Sequence, residues 1–163
     1  VYIGGTGYIT IQDAIDAAFA GDTVTVLSGT FVEDLTVDKE VTLEGANVGI
    51  DAVTGTRSAE SVVLGRVLVS SDNVIIDGIT LSNPEGAEGI YAVNVSGLSV
   101  QNNIIAEVNT NGAGSASGIY VKALGAAESG FTIVGNDIYN IGTTNATVST
   151  KGITSATPTG MRS

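Results

Sequence analysis

One figure recurs four times along this chain: two apolar residues flanking a third, then another apolar residue five positions on. It reads Val41-x-Leu43 with Val48, Val74-x-Ile76 with Leu81, Leu98-x-Val100 with Ile105, and Phe131-x-Ile133 with Ile138. The starts at 41, 74, 98 and 131 lie 33, 24 and 33 residues apart, the period range of stacked repeats, with inserted loops lengthening some intervals. Alternation of apolar and polar residues inside each copy is strand periodicity with one face buried. A chain so patterned is constrained to pile like residues on like residues.

Composition agrees. The 163 residues are 43% hydrophobic with mean hydropathy +0.33, enough apolar material for one continuous core. The 22 Gly and two Pro, with many Thr, Ser, Asn and Val, suit short strands and tight turns and argue against a helical bundle. Six Lys and Arg against 17 Asp and Glu leave a net charge of −11. So few cations make no basic patch, which argues against nucleic acid and anionic membrane as partners. Without Cys there is no disulfide, thiolate nucleophile or zinc cluster; without His the usual general base and the Ser-His-Asp relay are gone. No apolar run reaches the roughly 18 residues of a membrane span. The start at Val1 without Met or a leader reads as a processed or excised piece of a larger secreted protein, and Met161-Arg162-Ser163 as a cloning remnant after a single domain over 1–160.

A helix is expected at 11–20, where Ile11, Ala14, Ile15, Ala18 and Phe19 share a face, Thr10 and Asp13 resemble a capping box, and Gly21 supplies a left-handed stop. Its apolar face would cover the first open end of the stack. The strands then divide into rungs of three. The first takes Val24-x-Val26, Leu35-x-Val37 and Val41-x-Leu43; the second, Val62 to Leu64, Val67-x-Val69 and Val74-x-Ile76. The third takes Ile90-x-Ala92, Val93-x-Val95 and Leu98-x-Val100; the fourth, Ile119-x-Val121, a degraded segment near Leu124, and Phe131-x-Ile133, with a fifth starting at Ile153. Stacking gives two columns, Val41, Val74, Leu98, Phe131 and Leu43, Ile76, Val100, Ile133.

The opening Ile11-Gln12-Asp13-Ala14-Ile15-Asp16-Ala17-Ala18, the steps Gly21-Asp22-Thr23-Val24-Thr25-Val26 and Gly29-Thr30-Phe31, and the strand Val41-Thr42-Leu43-Glu44-Gly45-Ala46-Asn47 follow one another in a telling order. They resemble the amino-terminal cap and first coil of right-handed parallel β-helix proteins of the pectate-lyase-like superfamily, in their secreted or surface bacterial and archaeal forms. The likeness runs from Ile9 to about Ile153, and 45–63 is similar to a segment after the first coil of such proteins. It implies an all-β solenoid of four to five coils with an amino-terminal amphipathic capping helix.

Loops at 48–61, 82–89, 107–118 and 141–152 are rich in Gly, Ser, Thr, Asn and Ala and should project from one edge, where repeat scaffolds carry recognition. Gly89-Ile90-Tyr91 and Gly118-Ile119-Tyr120 recur 29 residues apart, so Tyr91 and Tyr120 should stack outward as an aromatic strip against sugar rings. Family lyases use an Arg or Lys base with acids or Ca2+, which singles out Arg66 beside Asp72 and Asp77; no second cation recurs in the next rung, and a structural ion pair is the plainer reading. The sparse Asp72 and Asp77 pair, without His, argues against paired-carboxylate catalysis. No acids have EF-hand spacing, and an incidental Ca2+ would fall to Glu85 and Glu88. Asn103 and Asn136 read as stacked turn amides, while Asn94-Val95-Ser96 and Asn145-Ala146-Thr147 match the glycosylation acceptor pattern.

The sequence therefore leads to a non-catalytic extracellular or cell-surface module, structural or adhesive, meeting copies of itself end to end. The rival reading is a polysaccharide-binding or lyase-like module built on Tyr91, Tyr120, Asp72, Asp77 and Arg66.

Overall fold

The structure, a computed structural model, describes residues 1–112, 114–122 and 129–142, with the backbone strand at Thr150–Ser155. It is mostly β with one helix among the described residues. A hairpin, β1 (Tyr2–Ile3) and β2 (Thr6–Gly7), precedes α1 (Ile11–Ala17). There follow β3 (Thr23–Thr25), β4 (Gly29–Phe31), β5 (Leu35–Val37), β6 (Thr42–Glu44), β7 (Ser61–Leu64), β8 (Val67–Val69), β9 (Ile75–Asp77) and β10 (Thr80–Asn83). The rest are β11 (Glu88–Val93), β12 (Ser99–Gln101), β13 (Ile104–Val108), β14 (Ala116–Lys122), β15 (Thr132–Val134), β16 (Asp137–Ile141) and β17 (Thr150–Ser155).

From β3 onward every pairing is parallel, and the chain visits three sheets in rotation. Sheet A orders β15-β12-β9-β6-β3 and continues into antiparallel β1 and β2; sheet B orders β16-β13-β10-β7-β4; sheet C orders β17-β14-β11-β8-β5. Each circuit adds one strand to each sheet. Register puts like on like: Val24, Leu43, Ile76, Val100 and Ile133 are successive partners in sheet A. Phe31, Val63, Leu81, Ile105 and Ile138 follow in sheet B, and Leu35, Val67, Ile90 and Ile119 in sheet C. These residues form one core, closed below by Ile11, Ala14 and Ile15 of α1, which packs on β3 and β5.

The expected column Leu43, Ile76, Val100, Ile133 is present. Sheet B is where expectation and structure part. The run 90–95 is not two strands; β11 ends at Val93 because Asn94 turns left-handed (φ 54). The middle strands are instead β4, β10, β13 and β16, and the apolar residue closing the recurring figure, Leu81, Ile105 or Ile138, is their core residue. Val48 fails that role and is 43% exposed, because the 45–60 insertion delays β7 and Val63 takes the place. The segment near Leu124 lies outside the described residues.

Two corners are built alike. Entering sheet A, Asn73, Gly97 and Gly130 are left-handed (φ 57, 69 and 77); leaving it, Gly78, Asn102 and Gly135 are (φ 73, 54 and 66). A Cβ on Gly97 would collide with the Asn73 amide, and one on Gly135 with that of Asn102. An asparagine in one rung thus leans into the space a glycine leaves in the next. The helix also differs from expectation: it stops at Ala17, Ala18 turns extended (φ −68, ψ 149), and the Phe19 N–H donates to Asp22 Oδ2 at 2.8 Å, leaving Phe19 80% exposed. Thr10 does cap it, Oγ1 accepting from the Asp13 N–H at 3.0 Å.

Truncating a column in the middle leaves a cavity between neighbours held in fixed register. Ile76→Ala should cost about 2–5 kcal/mol in urea unfolding, far more than Ile75→Ala on the outward side of β9.

Candidate functional site

The side chains with chemical potential gather at the corner between sheets B and C. There the connections 84–87 and 109–115 lie one above the other, tied by Asn109 N–H to Asn83 O (2.9 Å), Asn111 N–H to Pro84 O (3.0 Å) and Asn111 Nδ2 to Glu85 Oε1 (2.8 Å). The 45–60 insertion instead joins A to B, and 143–149 lie outside the described residues. Two of the four expected loops, 82–89 and 107–118, thus share an edge, and the first does not.

Beside this corner opens a cleft of about 370 Å3 lined by Asp34, Arg66, Asn83, Glu85, Gly86, Ala87 and Glu88. Asn83 forms its floor, 9% exposed, donating from Nδ2 to Glu88 O. Arg66 is 41% exposed; its Nη1 stands 4.0 Å from Glu88 Oε2, and its guanidinium carbon lies 5.9 Å from the Tyr91 ring centre. Tyr91 pairs in register with Tyr120, ring centres 5.5 Å apart and planes within 14°. Guanidinium and rings form a ladder up sheet C. Tyr91 spends its faces on Tyr120 and on Arg66, so an approaching sugar meets its edge and hydroxyl rather than an open aromatic plate.

Arg66 does not stand by Asp72 and Asp77. Its main-chain N–H donates to Asp34 Oδ1 at 2.7 Å, and its side chain turns to Glu88. Asp72 and Asp77 flank β9 at opposite ends. Asp72 Oδ1 accepts from the Ser96 N–H at 2.7 Å; Asp77 Oδ1 accepts from the Gly49 N–H at 3.0 Å and from Asn102 Nδ2 at 2.9 Å. Each ties one rung's turn to another's. Glu85 and Glu88 both line the cleft with Asp34, but among the described residues no group of three or more acids is arranged to hold a metal ion. Asp34 and Asn83, which complete the cleft, were not singled out from sequence, because only the rung-on-rung register brings them to Arg66 and Glu88.

A second cluster went unread. Arg57, side chain 9% exposed, donates through Nε and Nη2 to both oxygens of Glu60 at 2.8 Å, and through Nη1 to Ile50 O (3.0 Å) and Asn102 O (2.7 Å). Thr80 Oγ1 adds a bond to Glu60 Oε2 at 2.8 Å. The fork pins the long insertion across later rungs, a bidentate use for which Lys has no equivalent. Nearby, Asp51 folds its own turn, accepting from Val53 and Thr54. The Arg57 bonds hold the Glu60 carboxyl below its ordinary 4.5 against the opposing pull of burial, with Thr80 adding to the lowering. The Thr54 N–H, then that of Val53 and the Thr54 hydroxyl, lower Asp51.

Against known proteins, no family model matches the chain and no solved structure matches it. Over 108 residues it is 30% identical to a cell surface glycoprotein of the archaeon Methanothermus fervidus. The chain is similar to a surface protein. The aligned stretch covers 64% of this chain but 17% of that relative, so the chain spans only a small part of the relative's length. The likeness supports a surface-associated or extracellular location, and no helix among the described residues is long and apolar enough to cross a membrane.

A carboxyl whose folded value is depressed contributes stability above its unfolded value and loses it as pH falls through the folded one. The Glu60 contribution is therefore intact above about pH 4.5 and disappears below it. Thermal melts from pH 7 to pH 3 should show Glu60→Gln least stable relative to the parent near neutrality, with the gap closing in acid. Parallel curves would mean that the pair carries no linked stability.

Proposed function

We propose that this chain is a non-catalytic structural or adhesive module of a cell-surface protein, a right-handed parallel β-helix that presents its sides outward and meets copies of itself through its ends. The observation that carries this reading is where the carboxylates go. Asp34, Asp72 and Asp77 each accept a main-chain or amide N–H from a following rung, Glu33 caps α1 through the N–H groups of Ile11 and Gln12, and Glu60 is held by Arg57. Acids so committed are braces rather than proton carriers. The similarity to a cell surface glycoprotein supports the location. Antibodies raised against the chain should label intact source cells, and the purified chain should sediment faster with rising concentration. Labelling confined to permeabilised cells would refute the surface role, and a monomer at every concentration the end-to-end contact.

The cleft at the B–C corner favours a second reading, a polysaccharide-binding module. Arg66 offers donors, Asp34, Glu85 and Glu88 offer acceptors, and Tyr91 and Tyr120 offer apolar edges, the mixture that recognises sugar hydroxyls. Three carboxylates against one guanidinium would repel uronates, so the ligand class is neutral glycan. On a glycan array this reading requires retention of neutral glycans, lost in the Tyr91→Ala, Tyr120→Ala double variant; silence across the array leaves the structural reading alone.

A further inference from the structure

Asparagines take the left-handed conformation at five places in the described chain, and most are occupied. Asn102 donates to Asp77, Asn109 to the Gly114 and Ser115 carbonyls and Asn140 to Glu107, while Asn73 leans into the space of Gly97. Asn94 is different. It is exposed at the corner where β11 leaves sheet C; its main-chain N–H donates to Lys122 O at 2.9 Å, and its side-chain amide bonds to nothing among the described residues. The next residue, Val95, is buried in the core. Ser96 holds its hydroxyl at the surface side of the same turn, accepting from the Ser129 N–H at 3.4 Å.

We propose that Asn94 is a modification site that carries an N-linked glycan. Asn94-Val95-Ser96 supplies the acceptor amide and the hydroxyl two positions on. The folded corner then tolerates the product: the bonds that hold the turn run through main-chain atoms, the Asp72 carboxylate and the Ser96 hydroxyl, none through the exposed Asn94 amide, so a sugar there displaces none of them. Asn145 heads a matching triplet outside the described residues. The donor is a saccharide linked to a lipid phosphate, used by a membrane-bound transferase. Asn94 Nδ2 forms the bond to the anomeric carbon, the carbon–oxygen bond to the lipid phosphate breaks, the phosphate leaves with the electron pair, and the amide proton passes to the transferase's base. The proposal rests on the surface reading, since such donors are met on the route out of the cell.

The test uses protein purified from source cells. Trypsin should release residues 67–122, between Arg66 and Lys122, in which Asn94 heads the sole acceptor triplet. Its mass should exceed the bare peptide by one glycan. The increment should vanish in Ser96→Ala and return in Ser96→Thr, with both variants still labelling intact cells. A bare Asn94 in protein that labels intact cells, or a glycan retained in Ser96→Ala, would overturn the assignment. Protein that labels only permeabilised cells defeats the surface reading first, and this inference with it.

Discussion

In-register parallel pairing is the constraint from which the rest follows. A residue in one strand has its counterpart directly above and below, so each inward position must suit a column rather than a site. Val24, Leu43, Ile76, Val100 and Ile133 satisfy this with aliphatics of similar size. The same rule strains the outward positions. Glu44 pairs with Asp77, two like charges on neighbouring strands, an arrangement that costs stability unless something answers it. Here Asp77 is answered by the Gly49 N–H and the Asn102 amide, and the next residue in the column is the uncharged Gln101.

Acidity in this molecule is accordingly better understood rung by rung than as a total. A turn that leaves sheet B or sheet C exposes N–H groups that no strand partner takes, and a carboxylate in the preceding rung takes them instead: Asp34 for Arg66, Asp72 for Ser96. Buried amides do the same inside. Asn103, 1% exposed, accepts from the Ile79 N–H and donates to Ile76 O, while Asn136 accepts from both the main chain and side chain of Asn103. Such ladders run along the stack and lock its register, which alternating hydrophobicity alone would leave free to slip by whole rungs.

How far this was legible in the sequence depends on the kind of signal. Periodicity two, recurring along the chain, marked sheets A and C; helical spacing marked the cap helix, and like residues recurring at equal places marked the Asn103–Asn136 pair. Of sheet B only β7 was read; β10 and β13 were missed because their buried residues do not alternate simply as apolar against polar, Leu81 sharing the inward side with Asn83 and Ile105 being followed by the equally buried Ala106. The helix end was misplaced because Phe19 fits the apolar face by spacing, and the Asp22 bond that turns the chain away from it is a three-residue local effect. For the site, register predicted the tyrosine pair directly. It did not predict the partners of Arg66, since Asp34, Arg66 and the Asn83–Glu88 turn come from three successive rungs, each at its own B–C corner, and no local pattern links them.

The architecture separates what must repeat from what is free to differ. Core columns and left-handed corners admit few residue types, whereas the B–C corner accepts connections of unequal length, 84–87 against 109–115, and still stacks them through Asn83, Asn109 and Asn111. Variation is thereby confined to one edge. Arg66, Tyr91 and Tyr120 project from the adjoining sheet with their faces already stacked, so that edge is presented by a stiff surface and binding there would order few side chains. Asn94 lies at another corner, where sheet C gives way to sheet A. A glycan there would occupy a different edge from the cleft, and the two features can coexist on one module without competing for the same surface.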